Sequence, residues 1–411
     1  MYNLHLTPEQ LEFRDTVRDF VENEVKPAAL NPKRLEPFEK PLLTDVLLKA
    51  SQMGLRALGL SEETGGAGAD ALTTCIVLEE LAAGDVDIAA VLAETATLAP
   101  ALFDRLMTGP QRARFLPKFM EDDRCHLAFA GCDPGAESGW SYHRPLAAAS
   151  GGEPVAVKQG GDWVIDGALP MVPNATVAGL FVVQARTDPR KTGANGLSAL
   201  LVPAGTPGLA VSGPHKATGE MIRWHHGAGA AVDFRGCRIP GDHLLGKEGQ
   251  SVLAAEAERA RAVTALAAVN LGVARAAYDA AVDYSKIRRQ GGRHIIGHQA
   301  IGGKLADCAI RLELARNMIW KAAWALDSEA GGGSRPDLPL HVVARVYTAQ
   351  AAHEVTLLAA ECFGAMGVMR DMPLQKHVHD AMVFLHSDDA DDAAKLAIAE
   401  AVAGYQRPLA A

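Results

Sequence analysis

From Ile301 to Leu326, apolar residues recur at spacings that alternate four and three without a slip: Ile301, Leu305, Cys308, Leu312, Ala315, Ile319, Ala322 and Leu326. A period of about 3.5 residues belongs to an α-helix in a left-handed bundle, and neither strand nor loop satisfies it. The small residues on the seam imply helices that approach closely. One seam buries nothing alone, so the chain must supply partners. It offers an Ala-rich helical run over residues 251–284, another over 340–363 and a last one over 390–404, with a flexible link at 331–334. The C-terminal part is therefore expected to be a four-helix bundle.

The N-terminal part is also helical. Thr7 suits an N-cap, Pro8 the first helical position, and Gln10 closes a capping box. Phe13, Val17, Phe20, Val21 and Val25 then share a face, and Pro27 is expected to end the helix. Further helical patterns run over 42–53, 71–83, 88–106 and 111–120. Residues 54–70 are punctuated by glycine, but no Gly-Lys-Ser/Thr follows Gly65–Gly68, so they read as a connection and not as a phosphate loop. Between Cys125 and Pro240 the texture changes to short β-type runs, over 163–167, 180–186, 197–202, 209–211 and 230–239. The expected fold is α+β, mostly α. Residues 1–122 form an N-terminal α-helical domain, 123–240 a middle β-barrel or sandwich domain, and 241–411 a C-terminal helical bundle domain.

Composition narrows the functions open to such a chain. A formal charge of −9 and the lack of a basic stripe argue against a nucleic-acid partner. No apolar run reads as long enough to cross a membrane, and Met1–His5 has the marks of neither part of a secretory leader, so a cytoplasmic location is expected. Six cysteines, at 75, 125, 132, 237, 308 and 362, include no CxxC and read as reduced thiols, not as disulfides or a zinc site. His225 and His226 are adjacent, would point opposite ways on a strand, and lack evident metal-binding companions.

Three stretches carry candidate chemistry. Arg288 and Arg289 precede Gly291-Gly292, a setting for a phosphate holder or for a solvated helix end. Residues 132–139 (Cys-Asp-Pro-Gly-Ala-Glu-Ser-Gly) form a small-residue loop that either presents N–H groups to a ligand or is an ordinary turn. The run from Glu361 to Asp392 joins a glycine-marked helix end (Gly364, Gly367) to Asp371, Lys376 and Asp380 at regular offsets and to a knot of aspartates.

Taken together, these stretches resemble the acyl-CoA dehydrogenases, flavoenzymes with the same helical, β, helical order. The resemblance covers nearly the whole chain. Its most specific part is a C-terminal signature met by Glu361, Gly364, Gly367, Val368, Asp371, Lys376 and Asp380, with Ala365 standing where Gly or Ser is usual. The Leu-Thr-Pro-Glu-Gln start, the segment from Gly65 to Glu79 and Glu80, and the run from Tyr284 through Arg288 to Gln299 support it.

The resemblance implies FAD as cofactor, an acyl-CoA substrate, and electron-transfer flavoprotein or a similar acceptor. It implies a homotetramer built as a dimer of dimers, or a mixed oligomer with a related subunit. Arg288 and Gln299 would hold the FAD of a neighbouring subunit, Arg288 through its pyrophosphate, and Glu361, Gly364 and Ala365 would line the same cofactor. Cys132 and Ser138 lie in the loop that contacts the flavin ring, and Met171 and Pro173 stand where the family has Trp-Ile-Thr against the flavin. Asp388 falls where most members carry the catalytic Glu, and no metal is implied. Glu258 lies about one turn before Ala262, the position from which certain members supply their base; it reads either as a second candidate or as a solvent-facing Glu beside Arg259.

The departures from the family cluster on the flavin. They include Cys132 for Thr, Met171 for Trp, Pro173 for Thr, and His225 and Gly227 for Arg and Ser. Pro173 has no donor to offer a flavin edge. Three readings stay open: an FAD-dependent acyl-CoA dehydrogenase with Asp388 as base; a degenerate, weakly FAD-binding subunit that supports a catalytic partner; and a flavin oxidase of a non-thioester substrate with an Asp base.

Overall fold

The computed structural model describes residues 5–31, 41–131, 153–191, 196–212, 225–250, 256–330, 338–369, 371–386 and 391–403. Helix α1 (Pro8–Phe20) opens with the expected capping box: the Thr7 hydroxyl accepts from Gln10 N at 3.2 Å, and the Gln10 amide oxygen accepts from Thr7 N at 3.0 Å. Pro27 does not end this helix. The chain passes through a π-helical turn, Val21–Val25, into the short helix α2 (Lys26–Ala29). Pro27 then falls in the first turn of that new segment, where its missing N–H goes unneeded.

Helices α3 (Thr44–Gln52), α4 (Ala71–Gly84), α5 (Val86–Ala99) and α6 (Gly109–Glu121) follow. Asp85 caps α5, its carboxylate accepting from Asp87 N and Ile88 N. With its π-helical continuation Pro100–Leu106, α5 is long and apolar enough to cross a membrane, contrary to the expectation above. Its apolar character has another cause: it is the largely buried central helix, packed by α4, α7 and the first strand.

The β part holds β1 (His126–Ala130), β2 (Val155–Gln159), β3 (Asp162–Val172), β4 (Ala178–Arg186), β5 (Leu197–Pro203), β6 (Leu209–Val211), β7 (Ala230–Pro240) and β8 (Leu244–Leu245). They form an eight-stranded sheet in the order β6-β7-β3-β2-β4-β5-β8, with β1 pairing parallel to β4. Residues from both halves of the sheet, among them Trp163, Ile165, Phe181, Leu200, Val232 and Phe234, share one core, so the sheet curls on itself as in a barrel. The outer face of β1, β4 and β5, through Leu127, Leu180, Val182 and Leu201, packs on Leu98, Phe103 and Phe119 of the N-terminal helices.

The C-terminal part comprises α7 (Glu256–Ile287), the hairpin β9 (Arg289–Gln290) and β10 (Arg293–His294), α8 (Gln299–Ala330), α9 (Leu340–Phe363), α10 (Leu374–His386) and α11 (Asp391–Ala403). The seam runs along α8 as expected: seven of its eight residues are buried and Ile301 packs partly buried beside them. The bundle has a fifth helix, however. The α10 segment is short, and its spaced Lys376 and Asp380 draw the eye as a motif before they read as one helical turn.

Candidate active site

The residues expected at the cofactor gather at two places. The first is one end of the bundle. Gln299 opens α8 and Arg288 follows α7; both are exposed. Arg288 is held by its backbone, its N–H donating to Tyr284 O at 2.9 Å and its carbonyl accepting from Ile295 N at 2.9 Å. The guanidinium therefore projects from a fixed turn. Tyr284 stacks on Phe363, with centroids 4.1 Å apart, and so ties this turn to the end of α9. There Gly364 ends the helix at φ 57°, ψ −134°, a conformation essentially reserved for glycine. A Cβ at Gly364 would meet nothing within 4 Å, so the backbone lies open to a ligand. Ala365 is exposed beside it. The Glu361 carboxylate, on the last turn of α9, is taken by the ammonium of Lys304 from α8. An exposed guanidinium, an open glycine backbone and a nearby amide fit the pyrophosphate and polar edge of a dinucleotide.

The second place is the end of β3. Met171 is half-buried and Pro173 exposed. Immediately after them comes Asn174, buried, at φ 57°, the one positive-φ residue other than glycine among the described residues. Its carboxamide nitrogen lies 2.9 Å from Val91 O, 3.3 Å from Thr95 Oγ1 and 3.1 Å from Leu127 O, donating towards α5 and β1. Thr95 in turn meets His126 Nδ1 at 3.2 Å and accepts from Leu127 N at 3.4 Å. Burial pushes the His126 imidazole down to about 4, so it stays neutral in this knot. One hub on α5 thus fixes both the strand that leads towards Cys132 and the turn after Pro173.

Met171 and Gly229 meet at this wall. A Cβ at Gly229 would lie 2.1 Å from Met171 Cε and 2.6 Å from its Sδ. The end of the Met171 side chain fills the space that the glycine at 229 leaves, and an added Cβ would also lie 3.3 Å from His225 Cε1.

Asp388, Cys132 and Ser138 lie outside the described residues. The helix that leads to Asp388 in sequence is α10. It carries Lys376 and Asp380, paired at 2.6 Å with side chains 2% and 1% exposed, so that face of the helix is buried. Glu258 is not available as a base in the described structure. Both its oxygens are engaged by Arg105, at 3.0 and 2.7 Å. Among the described residues no group of His, Cys, Asp and Glu is arranged to hold a metal, and Cys75, Cys125, Cys237, Cys308 and Cys362 are free and buried.

Sequence reasoning missed Asn174 and Gly229. The signal for Asn174 was present, since Asn is the residue most tolerant of a left-handed turn and it follows a strand and a proline. Gly229 gave none, because its need arises only from a side chain distant in sequence.

Comparison with known proteins agrees with this architecture. Residues 7–123 match the acyl-CoA dehydrogenase N-terminal domain and residues 248–403 the acyl-CoA dehydrogenase C-terminal domain. The short-chain specific acyl-CoA dehydrogenase of Bos taurus mitochondria is 31% identical over 370 residues, covering 90% of this chain and 84% of that protein. An acyl-CoA dehydrogenase of Bacillus subtilis is 28% identical over 98% of this chain and 100% of its own length. The butyryl-CoA dehydrogenase of Megasphaera elsdenii superposes with a TM-score of 0.83 at 24% identity, covering 98% of this chain and 100% of that one. The chain belongs to the acyl-CoA dehydrogenase family of FAD-dependent oxidoreductases.

Proposed function

We propose that this protein oxidises an acyl-CoA to the enoyl-CoA, with Asp388 as the base, and passes the electrons to an electron-transfer flavoprotein or a similar acceptor. The observation that carries this reading is the bundle end, where the exposed Arg288, the open Gly364 backbone and the Glu361–Lys304 pair stand together. A degenerate subunit has no need to keep an exposed guanidinium on a fixed turn beside an open glycine helix end. That favours a working site over a degenerate subunit.

Bound FAD supplies the hydride acceptor for the β-carbon. Asp388 takes the α-proton of the thioester. Desolvation raises a carboxylate's pKa and so makes it the stronger base. Its side chain is shorter than the family's usual Glu by about 1.5 Å, one carbon–carbon bond, so its backbone must lie closer to the substrate. Arg288 and Gln299 hold a neighbouring subunit's cofactor, Arg288 by its pyrophosphate, with Glu361, Gly364 and Ala365 along it. Cys132, Ser138, Met171 and Pro173 line the ring. Pro173 contributes shape alone. We further place domain boundaries near residues 122 and 240, assign the assembly as a homotetramer, and locate it in the cytoplasm, where free buried cysteines such as Cys75 and Cys308 suit a reducing compartment.

The purified protein should be yellow, and anaerobic mixing with a panel of acyl-CoAs should bleach it. Asp388→Asn should keep the colour and lose the bleaching by a factor of at least about a hundred. A colourless protein that stays so after FAD is added sinks the reading. Bleaching by a nitroalkane but by no thioester would move the assignment to a flavin oxidase.

A further inference from the structure

His225 and Gly227 depart from the family, and the mechanism above leaves His226, between them, unused. Three parts of the fold meet at it. Gly227, at φ 78°, is pressed onto α5, where an added Cβ would lie 3.4 Å from Ala90 Cβ and 3.5 Å from Val91 N. Its N–H donates to Asp87 Oδ1 at 3.0 Å. Asp87 belongs to α5 and is fully buried. The neighbouring His226 side chain is only 6% exposed, with Nδ1 3.8 Å from the same carboxylate oxygen. The far side of the ring reaches α10: Nε2 lies 3.0 Å from the Asp380 main-chain oxygen, and the ring packs on Phe384 with centroids 4.6 Å apart. A carbonyl oxygen only accepts, so Nε2 carries the hydrogen and Nδ1 faces Asp87.

We infer that His226 is a positioning residue that pins the C-terminal half of α10 against α5 and thereby sets where Asp388 sits. The inference rests on Asp388 being the base. The first half of α10 carries the buried Lys376–Asp380 pair; the second half carries Phe384 and ends at His386, two residues before Asp388. Without His226 that half loses the ring against Phe384 and the donor to its backbone. A misplacement of about 1 Å at a reacting group costs on the order of a hundredfold in rate. The shorter carboxylate leaves less slack than a Glu would.

The test uses the FAD-loaded enzyme, rapid anaerobic mixing, and whichever of butyryl-, isobutyryl-, octanoyl- and palmitoyl-CoA reduces the flavin fastest. His226→Phe keeps a ring against Phe384 and removes the N–H. Its flavin spectrum, FAD content and Tm should stay at the starting values, as should the dissociation constant for the acyl-CoA. The reduction rate at saturation should fall about tenfold to a hundredfold. His226→Gln, whose amide reaches the Nε2 position, should recover most of that loss, whereas His226→Asn is too short and should not. In an Asp388→Asn background, His226→Phe should cause no further loss.

Wild-type reduction by His226→Phe overturns the inference, as does an equal loss on top of Asp388→Asn, because either result means that His226 does not act through the base. If His226→Phe fails to fold, the comparison of Gln with Asn decides: equal rates for the two overturn it. Wild-type reduction by Asp388→Asn removes the base assignment itself, and this inference falls with it. An inactive Asp388→Asn beside a fully active His226→Phe defeats the positioning role alone.

Discussion

Asn174 shows how one residue can hold a wall of the site. A left-handed conformation costs a residue with a Cβ about 1–2 kcal/mol, and Asn is among the few that tolerate it. Here the cost is offset by a buried carboxamide whose nitrogen faces Val91 O, Leu127 O and Thr95 Oγ1. Two replacements separate the backbone from the side chain. Asn174→Gly keeps the φ of 57° but strips the donors, leaving buried carbonyls short of a partner; about 1–3 kcal/mol should be lost. Asn174→Ala loses the same donors and adds the backbone strain, so it should be worse than Gly by about 1 kcal/mol. Urea denaturation of the two variants checks the order, and Ala at or above Gly would show that the conformation is not strained. The neighbouring pair Met171 and Gly229 marks the limit of what a sequence discloses. Met171 was legible as a departure, but that a glycine at 229 makes room for it depends on β3 and β7 lying side by side, a tertiary fact with no local trace.

At the scale of elements, the N-terminal helices are riveted to the bundle by charge. Glu79 and Glu80 on α4 are buried, and three arginines converge on them. Arg18 from α1 reaches Glu80 at 2.6 Å, Arg275 from α7 reaches Glu79 at 3.1 Å and Glu80 at 2.8 Å, and Arg316 from α8 reaches Glu79 at 2.7 Å. Burial alone would push the Glu80 carboxyl up; Arg18 and Arg275 outweigh it and hold it below its ordinary 4.5. A carboxyl whose folded pKa lies below its unfolded one contributes stability above the unfolded value and loses it as the pH falls through the folded one. The protein should therefore weaken below about pH 4.5, through this group among others. Glu80→Gln should cost about 3 kcal/mol at pH 7 and show a shallower further loss on acidification. Thermal melts between neutral pH and pH 3.5 (about the lower edge of the carboxylate range) would read both; a variant as acid-sensitive as the parent refutes the assignment. The elements themselves were largely legible, because α8 and α9 are long and strongly periodic. The π turn at Val21–Val25 and the short α10 were not, since one turn of altered register leaves too few residues to set a period.

On the scale of the whole molecule, apolar side chains stand exposed among the described residues at places that include two on the bundle. One is the end that carries Arg288, where Ile287 is 74% exposed beside the guanidinium. The other is the outer face of α8 and α9. Ile310 and Leu314, one helical turn apart on α8, are 57% and 52% exposed, and Leu357 on α9 is 41% exposed. The Arg311–Glu354 pair joins α8 to α9 on this side. Single exposed apolar side chains are normal, but a contiguous patch rimmed by charge marks an interface. A second copy is the occupant we expect, because a self-complementary patch closes by two-fold symmetry and a homotetramer needs more than one such contact. Light scattering should therefore give four chains for the parent protein. Ile310→Arg combined with Leu314→Arg places two charges at the centre of the patch and should lower the mass by half or more, while circular dichroism and the isolated fold stay intact. A variant that keeps the full mass would show that this face is solvent-exposed in the assembly. If the mass falls and FAD is retained, the cofactor is shared across a different contact, at the Arg288 end; Arg288→Ala in the intact tetramer should then shed FAD on dilution while leaving the mass unchanged.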